Sequence, residues 1–415
     1  MIDFKTFELE NGLRVIVHED HARPTVVLNL IYDVGSRDET PDKTGFAHLF
    51  EHLMFGGSAN IPSFDEPLQR VGGENNAFTS PDVTNYYTLV PAANIETAFW
   101  LESDRMLALS FDQKVLDVQK NVVMEEFKQR YLNQPYGDVW LKLRPLVYTQ
   151  HPYAWPTIGK ELSHIEVVVM DQVKSFFYSH YIPNNAVLVL GGDITLEKAK
   201  ALSEKWFGPI PAGNKIIRNL PKEPVQKTER RTEASGDVSM DAFYRAYHMG
   251  GRWDKDYYAT DLMCDMLGRG KSSRLYERLV NTDKIFHSLQ SYITGSTDPG
   301  LLVIDGKLQQ GISPEEGEKK INEVIQEFLD KGINDEELEK VKNQAEATLA
   351  FSESELLNRV MNIAFAALQG DPHLVNTEIG QIREVTKDKA MNMARQILQP
   401  SNSTTLIYRS KKQNN

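Results

Sequence analysis

The sequence predicts an α+β chain of two homologous domains, each a mainly antiparallel sheet with helices packed on one face. Three observations carry this reading. At 415 residues the chain is longer than one ordinary core accommodates. Short runs of alternating or continuous apolar residues, bounded by turn residues, are interleaved with longer stretches of helical periodicity. The order of elements in the first half returns in the second, across a Pro- and Lys-rich stretch that reads as a linker. The expected partition is 1–208, a linker over 209–228, and 229–415.

The first half justifies its elements in turn. Phe4 to Glu19 reads as a hairpin, with Phe7, Leu9, Leu13, Val15 and Val17 alternating around Asn11-Gly12, a favoured two-residue turn. Val26 to Val34 is an apolar strand, and Gly35-Ser-Arg-Asp-Glu39 with Pro41-Asp42 breaks it. A helix is expected from Phe46 to Leu53, stopped by Gly56-Gly57. Ala77 to Val90 reads as strand, turn at Ser80-Pro-Asp82, and strand. Helical stretches follow over Ala93 to Ser110 and over Val115 to Tyr131, the latter capped near Asp112. Asp171 to His180 is helical, Ala186 to Gly192 is a buried strand, and a helix from Thr195 to Trp206 closes the half.

In the second half, Ala242 to Met249 followed by Gly250-Gly-Arg-Trp-Asp254 echoes the 26–38 segment. Leu262 to Gly268 echoes Leu49 to Phe55, which sets Asp261, Cys264 and Asp265 opposite His48, Glu51 and His52. No metal site is expected in this copy. Helical stretches run from Ser313 to Asp330 and from Asp335 to Gln369, and Ser403 to Tyr408 echoes the 186–190 strand.

Composition narrows the function classes. With 41% hydrophobic and 25% charged residues the chain has the make-up of a soluble globular protein. No apolar run approaches the ~20 residues that span a bilayer. The opening Met1-Ile-Asp-Phe-Lys-Thr-Phe lacks the basic start and apolar block of a secretory signal, so the cytoplasm is expected, or the periplasm if an upstream signal was removed. A net charge of −12, from 58 acidic and 46 basic residues, disfavours a nucleic-acid partner. Cys264, the single cysteine, excludes an internal disulfide and reads as a small buried apolar residue. His151, in a proline-flanked loop, reads as structural.

The densest chemistry lies in Gly45-Phe-Ala-His-Leu-Phe-Glu-His-Leu-Met-Phe-Gly-Gly57. On a helix Phe46, Leu49, Phe50 and Leu53 form one face, while His48, Glu51 and His52 form the opposite one. Imidazoles at i and i+4 stand one turn apart, close enough to share a cation such as Zn²⁺, with a carboxylate beside them to handle protons. Composition alone gives roughly 0.03 chance occurrences of His-x-x-acid-His in such a chain. A second anomaly sits further on. In the 115–131 helix Val115, Val118, Val122 and Val123 read as an apolar face, with Glu126 near its middle and Glu125 towards its edge. A carboxylate there is costly unless paired, and a metal ion would keep it charged.

His-x-x-Glu-His is the inverse of the commoner zinc-peptidase motif, and this stretch resembles the pitrilysin/insulinase family, most closely its mitochondrial-processing-peptidase-like branch. Gly72-Gly-Glu-Asn-Asn-Ala-Phe-Thr-Ser80 followed by Thr84-Asn-Tyr-Tyr87 resembles the segment after the family's motif. Asn121-Val-Val-Met-Glu-Glu126 resembles its third-ligand helix. The resemblance implies a zinc-dependent endopeptidase with one zinc per chain, held by His48, His52 and Glu126. Glu51, beside the metal but not bound to it, would take the proton of the attacking water and later deliver it to the leaving amine. Asn76, Ala77 and Phe78 would line a cleft that takes an extended peptide by backbone pairing; the plain reading of the same residues is an ordinary edge strand. The rival function is a non-catalytic interaction or scaffold subunit of the same family, against which the intact His48, Glu51 and His52 stand.

Two departures from the family pattern matter. Gln119 stands where many members carry a second glutamate, seven residues before the ligand. Active members also bring an arginine and a tyrosine from the second domain to the substrate, in a segment resembling Arg278 to His287; the best register places Val280 and His287 at those positions. Neither supplies the same donor, and Arg274 and Tyr276 are the nearby alternative. The expected partner, besides a peptide substrate, is therefore a homologous subunit with a decayed metal motif that contributes the arginine and tyrosine to a heterodimer.

Overall fold

The computed structural model describes residues 1–411. In chain order its strands are β1 (Lys5–Glu8), β2 (Arg14–Glu19), β3 (Thr25–Tyr32), β4 (Glu74–Thr79), β5 (Thr84–Pro91) and β6 (Ala186–Gly192), then β7 (Arg230–Gly236), β8 (Ala242–His248), β9 (Phe286–Ile293), β10 (Leu301–Leu308) and β11 (Ser403–Ser410). The longer helices are α1 (Phe46–Leu53), α2 (Ile95–Leu107), α3 (Gln113–Phe127), α4 (Val139–Val147), α5 (Met170–His180) and α6 (Leu196–Trp206). They continue with α7 (Tyr257–Gly268), α8 (Pro314–Lys331), α9 (Asp335–Glu353), α10 (Leu356–Leu368) and α11 (Lys387–Ile397). None is long and apolar enough to cross a membrane.

The chain divides into two compact units that are not contiguous in sequence. The first comprises residues 1–128, 155–221 and 350–378; the second comprises 129–154, 222–349 and the chain from Ile379 onward. This corrects the expected split into 1–208 and 229–415. The sheets do follow that division, but 129–154 and 350–378 each build into the unit whose sheet comes from the other half.

In the first unit the strand order is β1-β2-β6-β3-β5-β4, antiparallel except for the β2–β6 pair. α2, against β3 and β5, and α6, against β2, lie on one face. Ile16, Val27, Ile31, Val187 and Val189 point to the other, where Val360, Ile363, Ala364 and Ala367 of α10 bury them. α10 lies so close that a Cβ on Gly191 would stand 2.3 Å from Val360 Cγ2, which is why the strand ends on glycine.

The second unit repeats this sheet without the β1 edge: β7-β11-β8-β10-β9, with β7–β11 its parallel pair. On one face Leu262 and Met266 of α7, Ile321 and Phe328 of α8 and Ala390 of α11 share a core with Phe243, Leu302 and Ile407. Ala242, Ala246, Val303 and Leu406 form the opposite face, under Val139, Leu143 and Val147 of α4.

Two elements differ locally from expectation. The first hairpin closes with the Leu9 N–H donating to the Leu13 carbonyl at 3.0 Å, a three-residue loop with Gly12 at φ 82°. Asn11 sets that width, because its side chain turns inward to donate to the Phe207 and Ile210 carbonyls at 2.8 and 2.9 Å. The single helical stretch expected over 335–369 is α9 and α10 with a break at Ser354 and Glu355. There the Asn358 amide and the Arg359 guanidinium donate to the Ser352 and Glu353 carbonyls, satisfying groups the helix end leaves open.

Candidate metal centre

α1 is bedded on aromatic side chains, and that decides which way its histidines face. Phe46, Ala47, Leu49, Phe50 and Leu53 are buried. Phe50 stacks on Phe176 of α5 at 5.0 Å and on Tyr181 at 5.2 Å. At the far end of the helix Gly57 takes φ 95°, and Gly56 lets α1 run against Val115 of α3, where a Cβ would approach within 2.5 Å. Phe55 meets the buried Arg105, which lies between Phe64 and Tyr86 at 4.3 Å from each ring and pairs with Glu102.

The opposite face of α1 carries the chemistry. The His48 Nε2 and His52 Nε2 lie 3.6 and 3.4 Å from one carboxylate oxygen of Glu126, on α3. Among the described residues, these three have ligand atoms lying within 4.8 Å of one another, placed to hold a metal ion. Metal–ligand bonds of about 2.0–2.1 Å in a tetrahedron put neighbouring ligand atoms about 3.3–3.4 Å apart, so the donor set and its spacing both suit zinc. The side chains of His48, His52 and Glu126 are 12%, 23% and 18% exposed, which leaves the group open to solvent on one side.

Glu51 sits beside this group without joining it. Its Oε2 accepts the Thr79 hydroxyl at 2.6 Å. Burial is the main influence on its carboxyl and raises it above the ordinary glutamate range; the Thr79 hydrogen bond and the proximity of His52 oppose this, and Glu126 adds to it.

α3 presents its third member for a different reason from the one the sequence suggests. Val118 and Val122 are exposed, at 50% and 43%, and the buried residues are Leu116, Val123 and Phe127. At 100° per residue Glu126 lies about 80° from the middle of that stripe, on its flank towards α1, and Gln119 lies on the same flank two turns earlier. Glu125 points away, 62% exposed and paired with Lys128 at 2.7 Å.

β4 is an edge strand, joined to β5 alone. Its side chains alternate. Thr79 turns toward α1, while Phe78 turns to the other face and stacks on Phe365 of α10 at 6.2 Å. Asn76 is exposed, and its Oδ1 accepts the Ala77 N–H at 2.8 Å. Thus Asn76 and Ala77 stand at the open edge, whereas the Phe78 ring is taken up by packing.

In the second unit, Asp261, Cys264 and Asp265 lie on α7, and the Cys264 thiol, 1% exposed, donates to Ser291 Oγ at 3.3 Å. His151 is buried, with Nε2 3.5 Å from Asp298. Sequence reasoning passed over two residues that touch α1 or its glutamate: Thr79, and Glu39, whose carboxylate accepts backbone N–H groups at the start of the helix. Thr79 reaches Glu51 across 28 positions and Glu39 reaches Gly45 and Ala47 across six and eight, and neither residue type stands out in its local pattern. A cavity of about 430 Å³ adjoins Glu39, Phe46 and α5, and none of His48, Glu51, His52 or Glu126 lines it.

Comparisons with known proteins agree with this geometry. Residues 14–145 match the family model described as insulinase (peptidase family M16), and residues 168–345 match the one described as peptidase M16 inactive domain. A zinc protease from Helicobacter pylori named PqqE is 29% identical over 340 residues, which is 80% of this chain and 76% of that protein. An uncharacterized zinc protease from Bacillus subtilis named YmxG is 27% identical over 416 residues, 97% of this chain and 98% of its own. The crystal structure of a protease from Helicobacter pylori superposes with a TM-score of 0.93 at 26% identity, covering 99% of this chain and all 100% of that one. A structure described as a peptidase M16 inactive domain from Pseudomonas fluorescens shares the fold, with a TM-score of 0.90 at 19% identity.

Proposed function

The chain belongs to the insulinase family of peptidases, M16, and from that premise we propose that it is a zinc-dependent endopeptidase acting on extended peptides or unfolded segments. The observation that carries the reading is the meeting of His48, His52 and Glu126 from two helices, with Glu51 beside them. These three side chains hold the metal. Bound zinc supplies Lewis acidity, bringing the pKa of water toward ~7. Glu51 takes the proton from water and returns it to the leaving amine, and the Thr79 hydroxyl holds one of its oxygens while it does so. The open edge of β4 at Asn76 and Ala77 takes the substrate backbone as an added strand, with little demand on its sequence.

The chain further acts as one subunit of a heterodimer. What supports this is the state of the residues at and near the positions of the missing arginine and tyrosine. The Arg274 guanidinium is held by both oxygens of Glu337, at 2.9 and 2.7 Å, and by the Gly332 carbonyl at 2.6 Å, and it lies over the Phe328 ring. Val280 packs against the core of its unit, and His287 is exposed on β9. A homologous partner then supplies the substrate-binding arginine and tyrosine.

Metal analysis of the purified chain tests the first part, with about one zinc per chain expected. Glu51→Gln is expected to keep that zinc and lose roughly 10²–10⁴-fold in peptide cleavage, since it removes a proton acceptor and no ligand. Absence of zinc after reconstitution would turn the reading to a scaffold subunit. Assay of the chain alone and with its candidate partner tests the second part: full cleavage by the chain alone, unchanged by the partner, rejects the heterodimer.

A further inference from the structure

The first turn of α1 has no cap of its own. Its N-cap is Gly45, at φ 90°, which has no side chain to accept the opening N–H groups. The acceptor comes from six residues earlier. Glu39 Oε2 accepts the Gly45 N–H at 2.9 Å, and Glu39 Oε1 accepts the Ala47 N–H at 2.9 Å. A third donor, Trp155 Nε1, reaches the same Oε2 at 3.1 Å and the Ser36 carbonyl at 3.0 Å. Glu39 is 7% exposed, and burial pushes its carboxyl up to about 8, a shift that the Ala47, Gly45 and Trp155 N–H groups oppose and the nearby Asp38 reinforces.

We propose that Glu39 is a positioning residue for the metal centre: it grips the first turn of α1 through two backbone amides and thereby sets where His48, the residue after Ala47, presents its imidazole. The inference rests on the reading of α1 as the metal helix. Each carboxylate oxygen engages a different amide, so the carboxylate fixes both the height of the turn along its axis and its rotation about that axis. A conventional N-cap serine or aspartate would move with the helix; Glu39 is anchored from outside it, on the segment that follows β3 and on the Trp155 indole. A shift of the first turn would change the distance from His48 to Glu126, which comes from α3, and so would loosen the ligand set without removing any ligand.

Zinc affinity of the full-length chain, measured by competition with a chromophoric chelator, and the visible spectrum of the Co²⁺-substituted protein read this directly and independently of peptide cleavage. Glu39→Gln replaces one accepting oxygen with an NH₂ group that opposes an N–H donor. It is expected to weaken zinc binding about tenfold or more and to alter the cobalt spectrum, with a cooperative thermal transition retained. Glu39→Asp keeps the carboxyl group but withdraws it by one methylene, so that it reaches one amide and gives the same changes to a smaller degree. Wild-type zinc affinity and cobalt spectrum in either folded variant would overturn the proposal, and failure of both variants to fold would assign Glu39 to stability and reject it equally. A wild-type chain that binds neither zinc nor cobalt would instead reject the reading of α1 as a metal helix.

Discussion

Thr79 touches the proposed proton carrier: its hydroxyl donates to Glu51 Oε2 at 2.6 Å. Thr79→Val keeps the shape of the side chain and deletes that donor. Zinc content is expected to stay unchanged, kcat to fall about tenfold and KM to move little, with Thr79→Ser restoring most of the loss. A valine variant as active as the wild type would show that Glu51 needs no such partner. Asp265, on α7 at the place equivalent to His52, gives a prediction about stability. Burial, with the nearby Asp261 adding to it and Arg269 opposing, pushes its carboxyl up to about 7. The folded state therefore keeps this proton at a higher pH than the unfolded chain, whose aspartates titrate near ~3.9. Its contribution is fully present below that value and is lost as pH rises toward about 7. Asp265→Asn removes the loss, so its gain in melting temperature should be larger at pH 8 than at pH 5; equal shifts at the two pH values would contradict the assignment. The pairing of His48, Glu51 and His52 was legible from residue types and spacing. Thr79 was not, because its hydrogen bond spans 28 positions and a threonine in a strand carries no mark of it.

At the scale of elements, α3 shows how a pattern can select the right residue on imperfect grounds. Reading its valines as the inward face gives a phase that the exposure of Val118 and Val122 contradicts, yet Glu126 stands by His48 and His52, while Glu125 points to solvent beside Lys128. β-Branched residues are counted as apolar wherever they occur, and Leu116, Val123 and Phe127 alone are buried in the helix. Glu126→Gln should weaken zinc binding by orders of magnitude, and Glu125→Gln should leave it within about twofold, as followed by zinc titration of the two variants. The reverse ranking would mean that α3 is rotated from the orientation described. β9 and β10 escaped sequence reading altogether. In β9 the buried positions are Phe286, Leu289 and Ser291, a pattern interrupted by the bulge where its register with β10 shifts, so a strict alternation never develops. The break between α9 and α10 was hidden for the opposite reason, since helical periodicity runs through Ser354 and Glu355 while the capping bonds that stop it come from Asn358 and Arg359.

For the whole molecule, the repeated sheet was visible in the order of elements, but the exchange of segments was not. Periodicity marks Val139, Leu143 and Val147, or Val360, Ile363 and Ala367, as faces to be buried and says nothing about which sheet will bury them. The consequence is testable by cutting the linker. Arg218 binds Asp33 and Asp38 within the first unit, and Glu223 accepts the backbone N–H groups of Thr149, Gln150 and His151 within the second. Cleavage at a protease site inserted between them should leave two fragments that co-elute on size exclusion, because each unit contains segments from both sides of the cut. Separation of the fragments without denaturant would contradict the exchange. Residues 1–208 expressed alone should lack a cooperative melting transition, as Ile16, Val27, Ile31, Val187 and Val189 lose their cover.

The burial of those five residues by α10 also bears on the order in which a ribosome makes the protein. The last strand of the first sheet ends at Gly192 and α10 ends at Leu368, so at ~5–20 residues per second roughly 10–35 s separate the synthesis of the sheet from that of its cover. During that interval a finished apolar face stands open on the nascent chain, and the 129–154 segment waits in the same way for a sheet not yet translated. Nascent chains of this protein are therefore expected to engage a hydrophobe-binding chaperone at the ribosome until α10 has emerged, and to leave it abruptly afterwards.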